Sequence, residues 1–445
     1  MIEKITLIDS LISLFYIVVI LLLIRLTKPD KSEVFSKYYS SFFVLKIFLA
    51  IFFVLIHSYY YKGGDTFLYF AGGQFFLDQF KASPVHFINI LSSSSEELFN
   101  IAYTDTFNIF SAIRSNNVLF LSKIIGILSI FTNGQYLATS ILFTLITAIG
   151  IWKLYVTLCK LHPKLYKLFA VGVLFYPSVG IWGSGILKDP LTFAAVGFIF
   201  SATYNLLKKR KILFSVISIF ISIYLCFILK PYILYTFIPA MLFWVQGKAV
   251  NKNSSPLTKY VLTPILVPIF LGGAYLFLQQ VSDGAGKYSL DNVQSVAEGF
   301  HSWHSYLAET RNQSGYSLGD VEFTLQGVLL KAPEAFFVAY FRPFIIGDVR
   351  NVATLFEAIQ SLILLILSIY VFIKVGIFKS FKLILSNADV RAFMLFAVIF
   401  GITVGLTSYN FGALSRYKIP GVPFYVASIS IIYYLGYLKP KKGYS

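Results

Sequence analysis

The sequence predicts an all-α, polytopic integral membrane protein with about 11 transmembrane helices and amphipathic helices in two long outer loops. Apolar residues make up 57% of the 445 residues and charged residues only 13%, whereas a soluble domain carries about 25% charged residues. The apolar residues gather in stretches close to the about 20 residues that a membrane-spanning helix needs. Lys and Arg fall in short runs between those stretches.

Eleven apolar stretches are predicted to span the membrane, within a single transmembrane domain over residues 1–445. The first lacks the small-residue cleavage site of a signal peptide, so we expect it to be retained. Two long segments at the outer face, 61–135 and 281–351, are expected to carry amphipathic helices. The spans are expected at about 5–24, 39–60, 136–156, 168–186, 190–207, 212–229, 232–247, 260–280, 352–373, 392–408 and 420–437.

The distribution of cations predicts the orientation of the chain. Of the 37 Lys and Arg residues, 22 fall in one set of connecting segments, which carry only Asp30, Glu33 and Asp389 as acids. Cytoplasmic loops carry an excess of Lys and Arg, so this face is expected in the cytosol, with the N-terminus outside and the C-terminus inside. The net charge of +17 is therefore assigned to loops rather than to a nucleic-acid-binding patch.

The predicted topology depends on whether the apolar segment 117–131 crosses the membrane. It is shorter than a comfortable span and contains Lys123. We therefore expect it to be a re-entrant or surface-lying helix at the outer face.

Asp65 is the first candidate for chemistry, because it directly follows a predicted span on the outer side. Gly63 and Gly64 precede it and permit a tight turn. Tyr69 lies four residues on and shares a face with Asp65 if the segment is helical. A carboxylate here is suited to deprotonate an acceptor hydroxyl; the alternative is a simple helix N-cap.

Lys188, Asp189 and Lys230 are the next candidates. The first two end the Gly-rich stretch 176–190, where Lys188 is suited to bind a phosphate and Asp189 to orient an acceptor or pair with Lys188. The alternatives are a snorkelling Lys188 and an Asp189 that caps a helix. Lys230 precedes a helix-breaking proline, so it is either a functional cation or one that stabilises a helix C-terminus.

Arg342 and Arg350 flank a non-helical stretch before a predicted span. The planar guanidinium group can donate two parallel hydrogen bonds to two phosphate oxygens, which favours phosphate binding. The alternative is an internal ion pair with Asp348 or Glu357. Glu357 itself lies inside the span, where an ionisable residue is a functional candidate by default.

Arg416, Tyr417 and Lys418 precede a Pro-x-x-Pro spacing at 420–423. That spacing predicts an irregular start to the last span, which is tolerated only where protein or water satisfies the backbone. Anion binding is the favoured interpretation, with simple anchoring at the membrane surface as the alternative.

A metal site is not indicated. His301 and His304 have a spacing that suits a helix-borne metal site, but an amphipathic interface helix is the better interpretation. We expect no cofactor and assign no metal ligand.

Several of these motifs resemble the GT-C glycosyltransferases, which use polyprenyl-phosphate sugars. Asp65 to Tyr69 resembles their Asp-x-x-x-Tyr region, the stretch 176–190 resembles their second outer loop, and Arg-Tyr-x-x-Pro-x-x-Pro from Arg416 resembles the start of a late helix. Phe-Arg-Pro-Phe around Arg342, with the later Arg-Asn, resembles bacterial polysaccharide-cluster proteins, some labelled O-antigen polymerases. The likeness covers about 60 residues in short pieces.

The resemblance implies an enzyme of the bacterial inner membrane that serves surface-polysaccharide assembly. It would transfer a sugar or glycan at the outer face from a polyprenyl-(di)phosphate donor to an acceptor hydroxyl. Asp65 would be the base, and Lys188, Arg342 and Arg416 would hold the donor phosphates. The remaining substrate-binding candidates are Tyr69, Asp189, Lys230, Arg350 and Tyr417.

Expected partners are the lipid-linked donor, a glycan or lipid acceptor and membrane lipids, with no nucleic acid. All the polar clusters are expected to meet in one outward-facing pocket. One alternative is an O-antigen-type polymerase or ligase that uses the arginines on diphosphates and needs no essential carboxylate. A lipid-linked glycan transporter is the other alternative, although the sequence lacks the internal repeat typical of transporters.

Overall fold

The computed structural model describes residues 5–101, 115–249, 314–319, 321–322 and 325–439, together with positions 112, 299, 302 and 306. The part described is all-helical, with 83% helix and no strand. By length and composition, eight of its helices suffice to cross a membrane, which agrees with a multi-pass membrane protein; the predicted count of eleven is not confirmed. The eight are Leu7–Leu26, Val34–Tyr61, Tyr136–Leu161, Lys188–Leu207, Ile212–Leu229, Val352–Val375, Ala388–Ser408 and Gly421–Leu438.

Three predicted spans account for the difference. The span expected at 260–280 lies outside the described residues. The span expected at 168–186 is not one helix, because the chain leaves the helical conformation before Pro177 and again at Gly183. Proline disfavours helical geometry in the residue before it, which explains the first break. The span expected at 232–247 is a helix, but it contains Pro239 and is not among the eight.

The chain forms two compact units. The first comprises Met1–Val156, Gly180–Phe198 and Phe220–Lys230, and the second comprises Thr157–Val179, Ile199–Ile219 and Pro231–Ser445. The single transmembrane domain stays a prediction. The helices up to position 161 are α1 (Leu7–Leu26), α2 (Tyr39–Leu55), α3 (Asp65–Ala82), α4 (Pro84–Ser92), α5 (Ser95–Ile101), α6 (Asn116–Phe131) and α7 (Tyr136–Leu161). A π-helical turn, Ile56–Tyr61, extends α2.

The later helices follow the same chain order. They are α8 (Tyr166–Phe169), α9 (Pro177–Trp182), α10 (Lys188–Leu207), α11 (Ile212–Leu229), α12 (Pro231–Ala249), α13 (Leu325–Phe341), α14 (Val352–Val375), α15 (Ile377–Ser386), α16 (Ala388–Ser408), α17 (Phe411–Tyr417) and α18 (Gly421–Tyr433). Two π-helical turns, Ala170–Leu174 and Tyr434–Leu438, extend α8 and α18.

In the first unit, a buried carboxylate ties α1 to α7. Asp9 accepts hydrogen bonds from the backbone N–H groups of Leu137, at 2.9 Å, and Ala138, at 3.1 Å. These are among the first N–H groups of α7, which have no partner within the helix. An acid inside an apolar helix is thus used as the cap of another helix.

The segment 117–131 forms α6, which packs closely against α3. A Cβ atom added at Gly73 would lie 2.6 Å from Ile125 Cγ2, and one added at Gly126 would lie 2.5 Å from Phe76 Cβ. Small residues at such crossings let two helix backbones approach, as is common between membrane helices. The prediction of a helix is therefore confirmed, and its re-entrant or surface position stays a prediction.

In the second unit, α16 is the central helix and packs against α12, α13 and α18. Gly401 and Gly405 permit the approach of α13, because added Cβ atoms there would lie 2.4 Å from Tyr340 Cε2 and 2.2 Å from Ala335 O. Aromatic rings fill the neighbouring core, and Phe396 lies 5.1 Å from Phe424 between ring centroids. This core carries the loops that hold the second group of candidate residues.

Candidate functional site

Asp65 is the first residue of α3 and its side chain is exposed. The turn before it depends on Gly64, whose φ of 122° is readily reached only by glycine. The ring of His57 closes this turn from one side, because a Cβ at Gly64 would lie 3.1 Å from His57 Cδ2. The N-cap position belongs to Gly64, so the alternative in which Asp65 is itself the N-cap is wrong.

Tyr69 lies one turn further along α3 and is buried. The ammonium group of Lys188, at the start of α10, lies 5.4 Å from the centre of its ring. A cation over an aromatic face is held by the negative charge of that face. The structure thus brings the predicted residues Asp65 and Tyr69 into the same region as Lys188, which lies beside the helix that begins at Asp65.

Asp189 and Lys230 form a buried ion pair. Lys230 Nζ donates to Asp189 Oδ1 and joins the end of α11 to the first turn of α10. From the sequence, Asp189 was expected to orient an acceptor or to pair with its neighbour Lys188. Lys230 was not predicted as its partner. The two opposite charges balance each other in a buried position, and the substrate-binding roles of Lys188, Asp189 and Lys230 stay predictions.

Lys46 is a residue whose role the sequence analysis missed. It lies inside α2, it is 1% exposed, and its ammonium group donates to Gly180 O, Gly183 O and Ser184 Oγ at 3.2, 2.8 and 3.2 Å. Gly180 lies in α9, and Gly183 and Ser184 lie in the irregular stretch between α9 and Lys188. The sequence did contain a signal for Lys46, since an ionisable residue in the middle of an apolar helix is a functional candidate by default.

Arg342 belongs to the second unit and pairs with Asp348. The guanidinium Nε and Nη2 donate to the two oxygens of Asp348 at 3.0 and 2.5 Å, and the backbone N–H of Phe344 donates to the same carboxylate at 2.8 Å. The guanidinium group also lies 5.4 Å from the ring of Phe411. The alternative of an internal ion pair is therefore present for Arg342, and its phosphate-binding role stays a prediction.

Arg350 and Arg416, the other predicted phosphate-binding residues of this unit with a positive charge, both have solvent-accessible surface. Arg350 is exposed, and Arg416 and Tyr417 are half-buried in the last turn of α17. The start of α17 is held by a short strip of chain, in which Tyr316 N–H donates to Tyr409 O at 3.0 Å and Phe411 N–H donates to Ser314 O at 3.0 Å. Burial raises the pKa of Tyr409 to about 12, so its hydroxyl stays protonated at neutral pH.

Glu357 and Lys418 form a second buried ion pair, with Lys418 Nζ 2.5 Å from Glu357 Oε1. The pair joins α14 to the residue that follows α17. Together with the contact of Arg342 and Phe411, the pair brings the predicted residues at 342–357 next to those at 416–418.

Asp389 is the centre of a polar network that the sequence analysis did not anticipate. Its carboxylate accepts from Trp244 Nε1 at 2.7 Å and from Lys248 Nζ at 2.8 Å, and it lies 2.9 Å from His162 Nε2. The network ties the first turn of α16 to α12 and to the residue that follows α7. Asp389 appeared in the sequence only as an acid in a basic loop, and nothing local to it identified its partners.

The described residues thus form two groups of predicted site residues, one in each unit. The union of these groups in a single pocket stays a prediction. The described residues contain no group of three or more His, Cys, Asp or Glu side chains that could hold a metal ion, and His301 and His304 lie outside them.

Comparison with family models, with curated proteins and with solved structures finds no match to this chain. The resemblance to GT-C glycosyltransferases therefore continues to rest on the short motifs that carry it.

Proposed function

We propose that the protein transfers a sugar or glycan from a polyprenyl-(di)phosphate donor to an acceptor hydroxyl at the outer face of the bacterial inner membrane, in surface-polysaccharide assembly. The arrangement of Asp65, Tyr69 and Lys188 in the first unit is the observation that carries the proposal. Asp65 begins α3, Tyr69 lies one turn along it, and the Lys188 ammonium group lies 5.4 Å from the Tyr69 ring. A carboxylate and a cation on neighbouring helix starts suit a reaction that takes a proton from one group and releases a phosphate.

In the proposed reaction the acceptor oxygen attacks the anomeric carbon of the donor sugar. The new C–O bond forms as the bond from that carbon to the phosphate oxygen breaks, and its electron pair leaves with the lipid phosphate. Asp65 takes the proton of the acceptor hydroxyl. Lys188 stabilises the charge that builds up on the leaving phosphate, which is the kind of effect that usually contributes most to a rate enhancement.

The accessibility of each side chain supports this division of roles. Asp65 is exposed and Lys188 is half-buried, so both have surface that a substrate can contact. Tyr69 is buried and supplies a fixed aromatic face for the Lys188 ammonium group. The buried Asp189–Lys230 pair holds the start of α10, which carries Lys188.

The test is sugar transfer by the purified full-length protein in liposomes, with a panel of synthetic polyprenyl-phosphate monosaccharides as donors. We expect Asp65→Asn to lower the turnover by a factor of about 10²–10⁴, the range for loss of a general base. Lys188→Met is expected to weaken donor binding and lower the turnover as well.

Asp78→Asn is the matched control, since Asp78 is an exposed aspartate further along the same helix. It makes the same change of charge and is expected to leave transfer unchanged. Full transfer by a folded Asp65→Asn protein would favour the polymerase or ligase alternative. Movement of the lipid-linked sugar without a covalent product would exclude both enzyme functions.

A further inference from the structure

The short helix α15 of the second unit connects α14 and α16, which are both long and apolar enough to cross a membrane. It packs against both of them, and Gly376, with a φ of 86°, turns the chain between α14 and α15. The ten residues of α15 rise about 15 Å, roughly half of the hydrocarbon core of a bilayer, so α15 is too short to span. A helix between the ends of two such helices is expected at the boundary between lipid and water.

One side of α15 is buried, and a neighbouring side is apolar and exposed. Ser380 is buried, so it marks the side that packs against the rest of the unit. Phe378, Phe381 and Leu385 follow at the spacing of one helix face, and they are 92%, 57% and 69% exposed. Exposed apolar side chains grouped in this way are typical of a surface that contacts a membrane or a partner. These three residues are termed the α15 apolar face below.

The charges beside the α15 apolar face are positive. Lys379 and Lys382 belong to α15 itself and Lys374 to the last turn of α14, and all three side chains are exposed. After Glu357 the sequence contains one acid, Asp389, which is buried in its own polar network. The positive charge of this surface therefore suits a negatively charged ligand.

Tyrosines accompany the lysines. The Lys374 ammonium group lies 5.9 Å from the ring centres of both Tyr370 and Tyr437. Lys379 donates to Gly436 O, in the π-helical turn that extends α18. Tyrosine is enriched at the level of the lipid headgroups in membrane proteins. The ends of α14 and α18 thus join α15 in one surface of tyrosine, lysine and exposed apolar residues.

We propose that this surface binds anionic phospholipids, with the α15 apolar face among the acyl chains and Lys374, Lys379 and Lys382 at the phosphate groups. A basic amphipathic helix lies in the plane of the interface and gains affinity both from apolar burial and from attraction to anionic lipids. A soluble anion would use the lysines and leave the apolar face in water, so a lipid accounts for more of the surface. The predicted orientation puts this surface in the cytosol, where the leaflet is anionic. The site does not depend on the proposed sugar transfer.

The depth of α15 is tested with spin labels on the full-length protein in nanodiscs that contain phosphatidylglycerol. The labels are attached to Phe381→Cys and to Ser386→Cys, with the buried Cys159 and Cys226 replaced by Ala in both proteins. Ser386 is exposed and lies about 140° around the helix from Phe381. We expect the label at position 381 to respond to oxygen, which concentrates in lipid, and the label at 386 to respond to a water-soluble nickel chelate. Ready access of the chelate to both positions would overturn the proposal.

The choice of lipid is tested by native mass spectrometry of the full-length protein from micelles with equal amounts of phosphatidylglycerol and phosphatidylcholine. We expect phosphatidylglycerol to be retained severalfold more than phosphatidylcholine, and Lys379→Gln with Lys382→Gln to lower this preference severalfold. Lys208→Gln with Lys209→Gln is the control, because it neutralises two exposed lysines of the same unit between α10 and α11. An unchanged preference in the α15 variant, or an equal loss in the control, would overturn the site.

Discussion

Replacement of Lys46 by Met tests how the irregular stretch before Lys188 is held. The Lys46 ammonium group donates to Gly180 O, Gly183 O and Ser184 Oγ, between 2.8 and 3.2 Å. Met keeps a long apolar side chain and removes only the charge and the donors. The variant therefore isolates the polar contribution of Lys46.

Two opposite effects determine the size of the change. Each hydrogen bond to a charged group contributes about 1.5–3 kcal/mol, while removal of a buried ion relieves a desolvation penalty of several kcal/mol. These two terms are of similar size and largely cancel. The acceptors left behind then decide the outcome, and an unsatisfied buried acceptor costs about 1–3 kcal/mol. Ser184 still donates to Gly180 O at 2.7 Å, so Gly183 O is the acceptor that loses its donor.

We therefore expect Lys46→Met to lower the free energy of unfolding by about 1–3 kcal/mol. Thermal unfolding in detergent measures this loss, and hydrogen exchange of residues 183–188 should become faster. Lys153→Met is the control, since Lys153 is exposed on α7 in the same unit and is expected to change little. A Lys46→Met protein with native stability and native exchange at 183–188 would refute the anchoring role.

Three further substitutions are measured by the same unfolding assay. Asp389→Asn removes the charge that accepts from Trp244 and Lys248 and should lower stability by about 1–3 kcal/mol, since Lys248 is partly exposed; an unchanged melting temperature would argue against the network. Gly126→Leu places a side chain where a Cβ already approaches Phe76 to 2.5 Å, and overpacking of this kind costs about 1–3 kcal/mol; a stable variant would contradict the close α3–α6 crossing. Asp9→Ala removes the cap of α7 and should cost about 0.5–2 kcal/mol, whereas full stability would show that the cap is dispensable.

The sequence predicted the class of fold because the bilayer imposes a length and an apolar composition on each helix. It failed at 168–186, where composition favoured one span and Pro177 with Gly183 divided it. The Gly185 backbone beyond that break has a φ of 75°, which excludes a continuous helix at this point. Composition averages over such local geometry, so a window of apolar residues cannot detect it.

The partners of the candidate residues were harder to predict than the residues themselves. Asp189 was identified from its neighbours, yet its partner Lys230 is 41 positions away and ends another helix. Glu357 and Lys418 were each noted as candidates, and only the packing of α14 beside the residue after α17 shows that they form a pair. A single sequence contains no information about which distant helix ends come together.

Access to solvent separates the charged residues into two kinds. Lys46, Asp389 and Lys418 are buried, and each joins separate parts of its unit through polar contacts; their removal should therefore act mainly on stability. Asp65 begins α3 and Arg350 lies just before α14, and both side chains are exposed. Under the proposed function, changes at these two residues should alter turnover and leave stability native, so the two measurements separate a chemical role from a role in folding.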